Sequence, residues 1–181
     1  MNKKTIAIII AIIGGLFLFT LPLDEILVII LSLPALILAI TFHEFAHAKT
    51  AELLGDPTPR TQGRITLNPI KHVSLMGLVS LFFLRIGWGK PVIINPIKFS
   101  KIKNKRLGEA LVALAGPLMN ILLSFILILI YSIILKYEVR LGSGNVELII
   151  HSMIWAAISI NLGLAVFNLL PIPPLDGFSI F

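Results

Sequence analysis

Two histidines and a glutamate stand at the end of a long apolar run, in a His-Glu-Phe-Ala-His stretch that begins at His43. Residues four apart lie one turn above each other on the same face of a helix, so His43 and His47 could hold one divalent metal between two imidazoles. Glu44 would stand beside that metal, where a carboxylate can take a proton from activated water. The spacing therefore predicts a metal site with a general base. The alternative is two core histidines and a buried glutamate that share this spacing by chance.

A third metal ligand must come from elsewhere, because a catalytic zinc usually takes three protein ligands and keeps an open position. The chain has no cysteine and nine acidic residues, so a carboxylate is the candidate. Asp176 follows an apolar run on the expected side of the membrane and lies outside any charged surface run, which makes it the predicted third ligand. An Asp-Gly pair is also common turn chemistry, and for this residue taken alone the turn is the stronger interpretation. His72 and His151 are predicted not to be ligands.

The composition is that of a membrane protein. Hydrophobic residues make up 57% of the 181 positions and charged residues only 13%, a balance that no soluble single domain needs to fill its core. The net charge of +6 could suggest nucleic acid, but the basic residues flank the apolar runs, as expected for membrane orientation. The lipid bilayer is therefore an expected partner, and nucleic acid is not.

Four apolar runs are long enough to cross a bilayer as helices. The first, residues 5–23, follows two lysines, and a cleaved signal peptide is its alternative, although no small-x-small cleavage site follows. The second, residues 26–42, continues as helix through the histidines to Leu54, where Gly55 supplies a C-cap. The third and fourth are residues 107–135 and 148–170, after which a proline-rich stretch, 171–177, cannot be helix.

The segment between the second and third runs breaks this pattern. Residues 58–106 are rich in proline and glycine, with short β-type runs at 64–67 and 92–95 and one apolar stretch at 73–84. Twelve residues cannot span a bilayer as a helix. Basic residues flank this stretch on both sides, which predicts that both flanks are cytoplasmic and that 73–84 re-enters the membrane. A short, tilted spanning helix is the alternative.

These runs predict an all-α polytopic membrane protein with about four transmembrane helices and a re-entrant or membrane-inserted β-type segment between the second and third. The charge distribution places the N-terminus, the C-terminus and the three predicted ligands on the cytoplasmic side. We expect residues 1–181 to form one integral membrane domain. Since polar groups within a membrane are costly, a functional role for the His-Glu-His stretch is the default hypothesis.

Two separated motifs resemble the paired signature of the site-2 protease family of intramembrane zinc metalloproteases. They are the His-Glu-Phe-Ala-His stretch and the run Phe-Asn-Leu-Leu-Pro-Ile-Pro-Pro-Leu-Asp-Gly at 167–177. Shorter motifs resemble the connecting segments of the short bacterial and archaeal members, which carry no regulatory domain: 55–58, 63–69, 89–92 with Asn95-Pro96, and Ala115-Gly116-Pro117 with Asn120. The resemblance covers about residues 26–177. Family members usually continue beyond the last motif, so we expect a chain that is truncated at its C-terminus.

The resemblance implies a zinc metalloendopeptidase of the cell membrane that cleaves a transmembrane protein substrate. It implies that His43, His47 and Asp176 bind Zn²⁺, that Glu44 is the general base, and that Asn168 positions the substrate carbonyl or stabilises the oxyanion. An interhelical hydrogen bond is an equally ordinary use of a membrane asparagine, and Asn161 is interpreted as packing. The β-type runs would offer an edge to an unwound substrate, because a helix hides its carbonyls in its own hydrogen bonds.

Two other classes of function stay open. A metal-binding membrane protein without proteolysis, such as a divalent-cation carrier or an inactive relative, would hold metal but show no cleavage that depends on Glu44. A structural membrane scaffold with a coincidental motif would bind no stoichiometric zinc, and zinc lost in His43→Ala would exclude it.

Overall fold

The structure is a computed structural model that describes residues 22–84 and 88–180, and it is mostly helical. In chain order the helices are α1 (Leu23–Leu53), α2 (Thr58–Thr61), α3 (Leu75–Leu84), α4 (Lys105–Lys136), α5 (Asn145–Asn168) and α6 (Asp176–Ile180). Two single 3₁₀ turns, Pro69–Lys71 and Pro96–Lys98, lie in the connections before α3 and α4. An Asn side chain caps each of these 3₁₀ turns by accepting a backbone N–H two residues later.

Helices α1, α4 and α5 are long and apolar enough to cross a membrane. They have 31, 32 and 24 residues, so even the shortest is about 36 Å long, against a hydrocarbon thickness of about 30 Å. These three helices coincide with the predicted second, third and fourth spans. The predicted first span, 5–23, lies outside the described residues except for its last two positions.

The three long helices pack against one another, and small or polar residues line their contacts. Their large apolar side chains point mostly outward, where lipid would cover them, as expected when packing rather than water exclusion drives helix association. The buried residues of the bundle include Ala39, Ala48, Gly116, Asn120, Ser124, Asn161 and Ala165. This arrangement leaves room for polar chemistry between the helices.

The predicted β-type runs at 64–67 and 92–95 are not strands, so that prediction was wrong. Over 22–84 and 88–180 the structure contains one isolated antiparallel bridge, between Val73 and Gly89. Side chains take the groups that a ladder would need: the Val92 N–H donates to Glu44 at 3.2 Å, and the Asn95 N–H donates to a buried aspartate at 2.6 Å. Hydrogen bonds to side chains compete with sheet formation in this way.

Helix α3 holds ten residues and is therefore about 15 Å long, roughly half of the hydrocarbon thickness. The segments before and after α3 lie side by side, because Val73 pairs with Gly89 and a Cβ at Gly77 would lie 2.9 Å from the backbone nitrogen of Trp88. A re-entrant segment requires such a return, but re-entry into the membrane stays a prediction.

Two turns bring the ends of the long helices into position. Gly55 follows α1 with φ of 101°, which confirms the predicted C-cap, and Asp56 beside it is fully buried. After α5, residues 171–175 are not helical, as predicted, but Asp176 and Gly177 are the first residues of α6 rather than part of the loop. The prolines that prevent helix formation end at Pro174, so the helix can begin immediately after them.

Candidate metal centre

The two histidines of α1 face the interior of the bundle. His43 and His47 are 7% and 8% exposed, and their Nε2 atoms lie 3.0 Å apart. The helical spacing alone produces this pairing, because α1 continues without interruption through both residues to Leu53. One face of a single helix therefore supplies two imidazole nitrogens to the same point.

Asp176 reaches the same point from the other end of the chain. Its Oδ2 lies 3.1 Å from the Nε2 of His43 and 3.3 Å from the Nε2 of His47. Gly177 permits this approach, because a Cβ there would lie 2.5 Å from the carbonyl carbon of Leu169 at the end of α5. One carboxylate and two imidazoles therefore meet at the same point.

Hydrogen bonds behind the two imidazoles determine which nitrogen carries the proton. The Nδ1 of His47 lies 2.7 Å from the carbonyl oxygen of Val112, which can only accept, so this Nδ1 donates. The Nδ1 of His43 lies 2.6 Å from the Oδ1 of Asn120, which also only accepts. Both Nε2 atoms therefore present lone pairs toward Asp176, the state that a metal ligand needs.

These three residues fit a zinc ion. Two imidazole lone pairs and a carboxylate oxygen converge on one point, and the Oδ2 of Asp176 is buried without a hydrogen-bond partner in the described part of the chain. Their separations of 3.0–3.3 Å are close to the edge of a tetrahedron around Zn²⁺, about 3.3 Å for bonds of about 2.0–2.1 Å. Two nitrogens and one carboxylate also suit zinc better than magnesium or calcium.

Glu44 lies beside this cluster, on the wall of the same cavity. Its Oε2 accepts the backbone N–H of Val92, and the returning chain passes close over it, since a Cβ at Gly89 would lie 3.2 Å from its Oε1. Arg64 anchors that chain by donating to the carbonyl oxygens of Lys90 and Pro91, each at 3.2 Å. The loop thus holds the Glu44 carboxylate next to the histidines, as a general base requires; that role stays a prediction.

The cavity measures about 690 Å³, within the usual range for a ligand site. Apolar side chains from the three long helices form much of its wall, and the three predicted ligands and Glu44 supply polar groups. Asn168 also lines it, and its amide nitrogen donates to the carbonyl oxygen of Leu164 in its own helix at 2.9 Å. The carboxamide oxygen of Asn168 has no hydrogen-bond partner among residues 22–84 and 88–180. A role for Asn168 toward a substrate carbonyl stays a prediction.

The other two histidines lie outside the cluster. His72 is fully buried and donates from Nε2 to the carbonyl oxygen of Thr66 at 2.7 Å. His151 contacts the hydroxyl of Tyr131 at 3.1 Å, in the part of α5 remote from Asp176. Neither belongs to the group of His, Asp and Glu side chains that could hold a metal in the described residues.

Sequence reasoning missed two residues that shape the centre. Gly116 faces both imidazoles, and a Cβ there would lie 2.6 Å from the Cε1 of His43. Asn120, one turn later on α4, contacts His43 directly. The available signal was the motif Ala115-Gly116-Pro117 with Asn120, which was identified only as similar to a connecting segment of the family.

Comparison with curated proteins gives relatives of one kind. The chain is 41% identical over 146 residues to "Putative zinc metalloprotease YwhC" of Bacillus subtilis, covering 80% of this chain and 64% of that protein. It is 30% identical over 165 residues to "Putative zinc metalloprotease Rip2" of Mycobacterium tuberculosis H37Rv, covering 87% and 58%. It is 31% identical over 181 residues to "Putative zinc metalloprotease MJ0611" of Methanocaldococcus jannaschii, covering 97% and 82%.

The chain thus spans 64% and 58% of the length of the Bacillus and Mycobacterium relatives. No protein-family model matches it, and no solved structure matches it significantly.

Proposed function

The chain belongs to the site-2 protease type of zinc metalloproteases, and on this basis we propose that it is a zinc-dependent endopeptidase that hydrolyses peptide bonds in membrane-spanning segments of other proteins. One observation carries the proposal. His43, His47 and Asp176 converge within 3.3 Å beside Glu44, in a cavity between helices apolar enough to cross a membrane. A cavity between such helices suits a substrate that itself lies in the membrane.

In this proposal His43, His47 and Asp176 hold Zn²⁺, and the bound ion supplies Lewis-acid activation of water and of the scissile carbonyl. Glu44 takes the proton of the attacking water and delivers it to the leaving amine nitrogen. The N–H of Val92, 3.2 Å from Oε2, restricts the rotation of that carboxylate on the wall of the cavity. General acid–base catalysis of this kind contributes about 10²–10⁴ in rate.

The substrate must be extended before it can react, because a helix in lipid engages its carbonyls in its own hydrogen bonds. Residues 91–95 have no strand partner in the described parts of the chain, and Pro91, Val92 and Ile94 line the cavity. In the same proposal the side chains of Pro91, Val92 and Ile94 contact the unwound substrate as part of the cavity wall. Asn168, which also lines the cavity, positions the substrate carbonyl in the same proposal.

We also propose that the centre opens toward the cytoplasm at the cell membrane. Lys49 follows His47 by two residues, and the segments beside the cavity carry Arg60, Arg64, Lys71 and Lys90. Basic residues concentrate in cytoplasmic loops, which supports this orientation. Labelling of single cysteines introduced at Thr61 and Ser143, in intact cells and in inverted membranes, would test it: only Ser143→Cys should react from outside.

Cleavage of a tagged single-span protein, reconstituted with the purified chain in lipid bilayers, tests the enzymatic proposal. Glu44→Gln should keep stoichiometric zinc and lose cleavage, because it removes the base without removing a ligand. His151→Ala is the matched control, since that histidine lies outside the centre. Cleavage that persists in Glu44→Gln would refute the proposal. Zinc binding without cleavage by the wild type across a panel of substrates would favour a non-proteolytic metal-binding protein.

A further inference from the structure

Two buried asparagines, one on α4 and one on α5, form a chain of hydrogen bonds that ends on His43 of α1. Asn120 on α4 is fully buried and Asn161 on α5 is 3% exposed. The Nδ2 of Asn120 lies 2.8 Å from the Oδ1 of Asn161, and its own Oδ1 lies 2.6 Å from the Nδ1 of His43. We propose that Asn120 and Asn161 are positioning residues for the metal centre, which act together to hold His43 in the tautomer and orientation that bind zinc.

Backbone carbonyls determine the direction of every bond in this chain of carboxamides. The Nδ2 of Asn161 lies 2.8 Å from the carbonyl oxygen of Ala157, so its Oδ1 must face Asn120. The Nδ2 of Asn120 lies 3.2 Å from the carbonyl oxygen of Ala39, so its Oδ1 must face His43. Carbonyl oxygens only accept hydrogen bonds, and a flip of either amide would place two acceptors against each other. The arrangement therefore admits only a donating Nδ1 on His43.

A proton on Nδ1 leaves the other ring nitrogen of His43, Nε2, free to bind a metal. With its proton on Nδ1, neutral His43 presents the Nε2 lone pair toward Asp176, whereas the opposite tautomer would point an N–H at the metal position. A buried polar group without a partner is costly, so the bundle disfavours that opposite tautomer. Outer partners of metal-bound histidines typically change metal affinity by about 10–100-fold.

This link differs from an ordinary interhelical hydrogen bond. It joins all three long helices, because Ala39 belongs to α1, Asn120 to α4 and Asn161 to α5. It also ends on a predicted metal ligand rather than on another packing residue. By contrast, a backbone carbonyl orients His47, so His43 is the ligand whose geometry depends on side chains remote from the metal.

Ser124 provides a matched control within the same helix pair. It lies one turn beyond Asn120, is fully buried, and donates to the carbonyl oxygen of Ile158 on α5 at 3.3 Å. It has no described contact with His43. Ser124→Ala therefore removes a buried hydrogen bond between α4 and α5 and leaves the histidine untouched.

The test is the dissociation constant for Zn²⁺ of the purified full chain, measured in detergent by competition with a chromogenic chelator. Asn120→Leu should weaken zinc binding by about 10–100-fold. Asn161→Leu should weaken it less, because the bond from His43 remains, and Ser124→Ala should leave it unchanged. Equal affinity in wild type and Asn120→Leu, or an equal loss in Ser124→Ala, would overturn the proposal.

Asn120→Asp separates positioning from packing. The aspartate carboxylate can still accept the Nδ1–H of His43. It has no N–H to donate, and it places negative charge against the oxygens of Ala39 and Asn161. Positioning predicts that Asn120→Asp unfolds at a lower temperature than wild type yet binds zinc more tightly than Asn120→Leu. Zinc binding as weak as in Asn120→Leu would contradict the proposal. If Asn120→Leu does not fold, Asn161→Leu is compared with wild type. Weaker zinc binding in Asn161→Leu supports the proposal, and unchanged zinc binding overturns it.

The inference rests on the zinc centre of the proposed function, and the same titration separates the two. A wild type that binds no zinc contradicts the centre itself. A wild type that binds zinc, with affinity unchanged in every asparagine variant, contradicts only the positioning role.

Discussion

Gly116 is the position at which one added methyl group should damage the centre most. A Cβ there would lie 2.6 Å from the Cε1 of His43 and 2.6 Å from the Cε1 of His47, whereas carbon atoms normally approach to about 3.5–4.0 Å. The overlap of about 1 Å can be relieved only if the two imidazoles move away from α4 or if α4 moves away from α1. Either movement separates the histidines from Asp176.

The magnitude follows from two opposing effects on stability and one on function. Overpacking lowers the free energy of unfolding by about 1–3 kcal/mol, and the helix preference of alanine over glycine raises it by about 0.8–1 kcal/mol. Gly116→Ala should therefore lose about 0–2 kcal/mol of stability. A displacement of about 1 Å at reacting groups can lower activity about 10²-fold, so function should suffer far more than folding.

The assay compares thermal unfolding, zinc affinity and cleavage of a reconstituted substrate in Gly116→Ala and Gly163→Ala. Gly163 lies in α5, and a Cβ added there would have no described atom within 4 Å, so its alanine variant should gain stability slightly and keep both activities. Wild-type zinc affinity together with wild-type cleavage in Gly116→Ala would refute the reasoning, because the histidines would then tolerate the methyl group.

Four further results are expected. Asp176→Asn should lower zinc content in elemental analysis, since it replaces the one anionic ligand with a neutral amide. Asp56→Ala should lower the free energy of unfolding by about 1–3 kcal/mol, because the backbone N–H groups of Thr58 and Asn95 lose their buried acceptor. Burial raises the pKa of the Asp56 carboxyl, but hydrogen bonds from Thr58 and Asn95 have the larger effect and lower the pKa below its ordinary value. Its contribution to stability should thus persist above pH about 4 and disappear as pH falls through the lowered pKa, a dependence that unfolding measured against pH should show and that Asp56→Asn should lack. Arg64→Gln should reduce cleavage with zinc affinity unchanged, since it frees the loop over the general base.

The long helices and half of the centre could be predicted because both depend on local spacing. Apolar length alone located α1, α4 and α5, and the four-residue interval of His43 and His47 placed both on one face. Asp176 was harder, since nothing in its neighbourhood distinguishes a ligand from a turn residue, and the resemblance to a known family supported its assignment.

The short runs between α1 and α4 were predicted incorrectly because their conformation does not depend on local spacing. Their composition is typical of strands, but the N–H groups of Val92 and Asn95 donate to the side chains of Glu44 and Asp56, and the carbonyl oxygen of Thr66 accepts from His72. A local pattern contains no information about such distant partners. Tertiary contacts therefore decided the conformation of the segment that covers the site.

The sequence by itself determined which segments are apolar enough to cross a membrane and which residues share a helix face, because both follow from the fixed rise and twist of a helix. Only the tertiary structure decided that Asp176 meets the two histidines, that Gly116 leaves room for their rings, and that Asn120 accepts a hydrogen bond from the Nδ1 of His43. Each of these depends on the distance between atoms on different helices. Packing of the whole bundle sets those distances, and no interval along the chain encodes them.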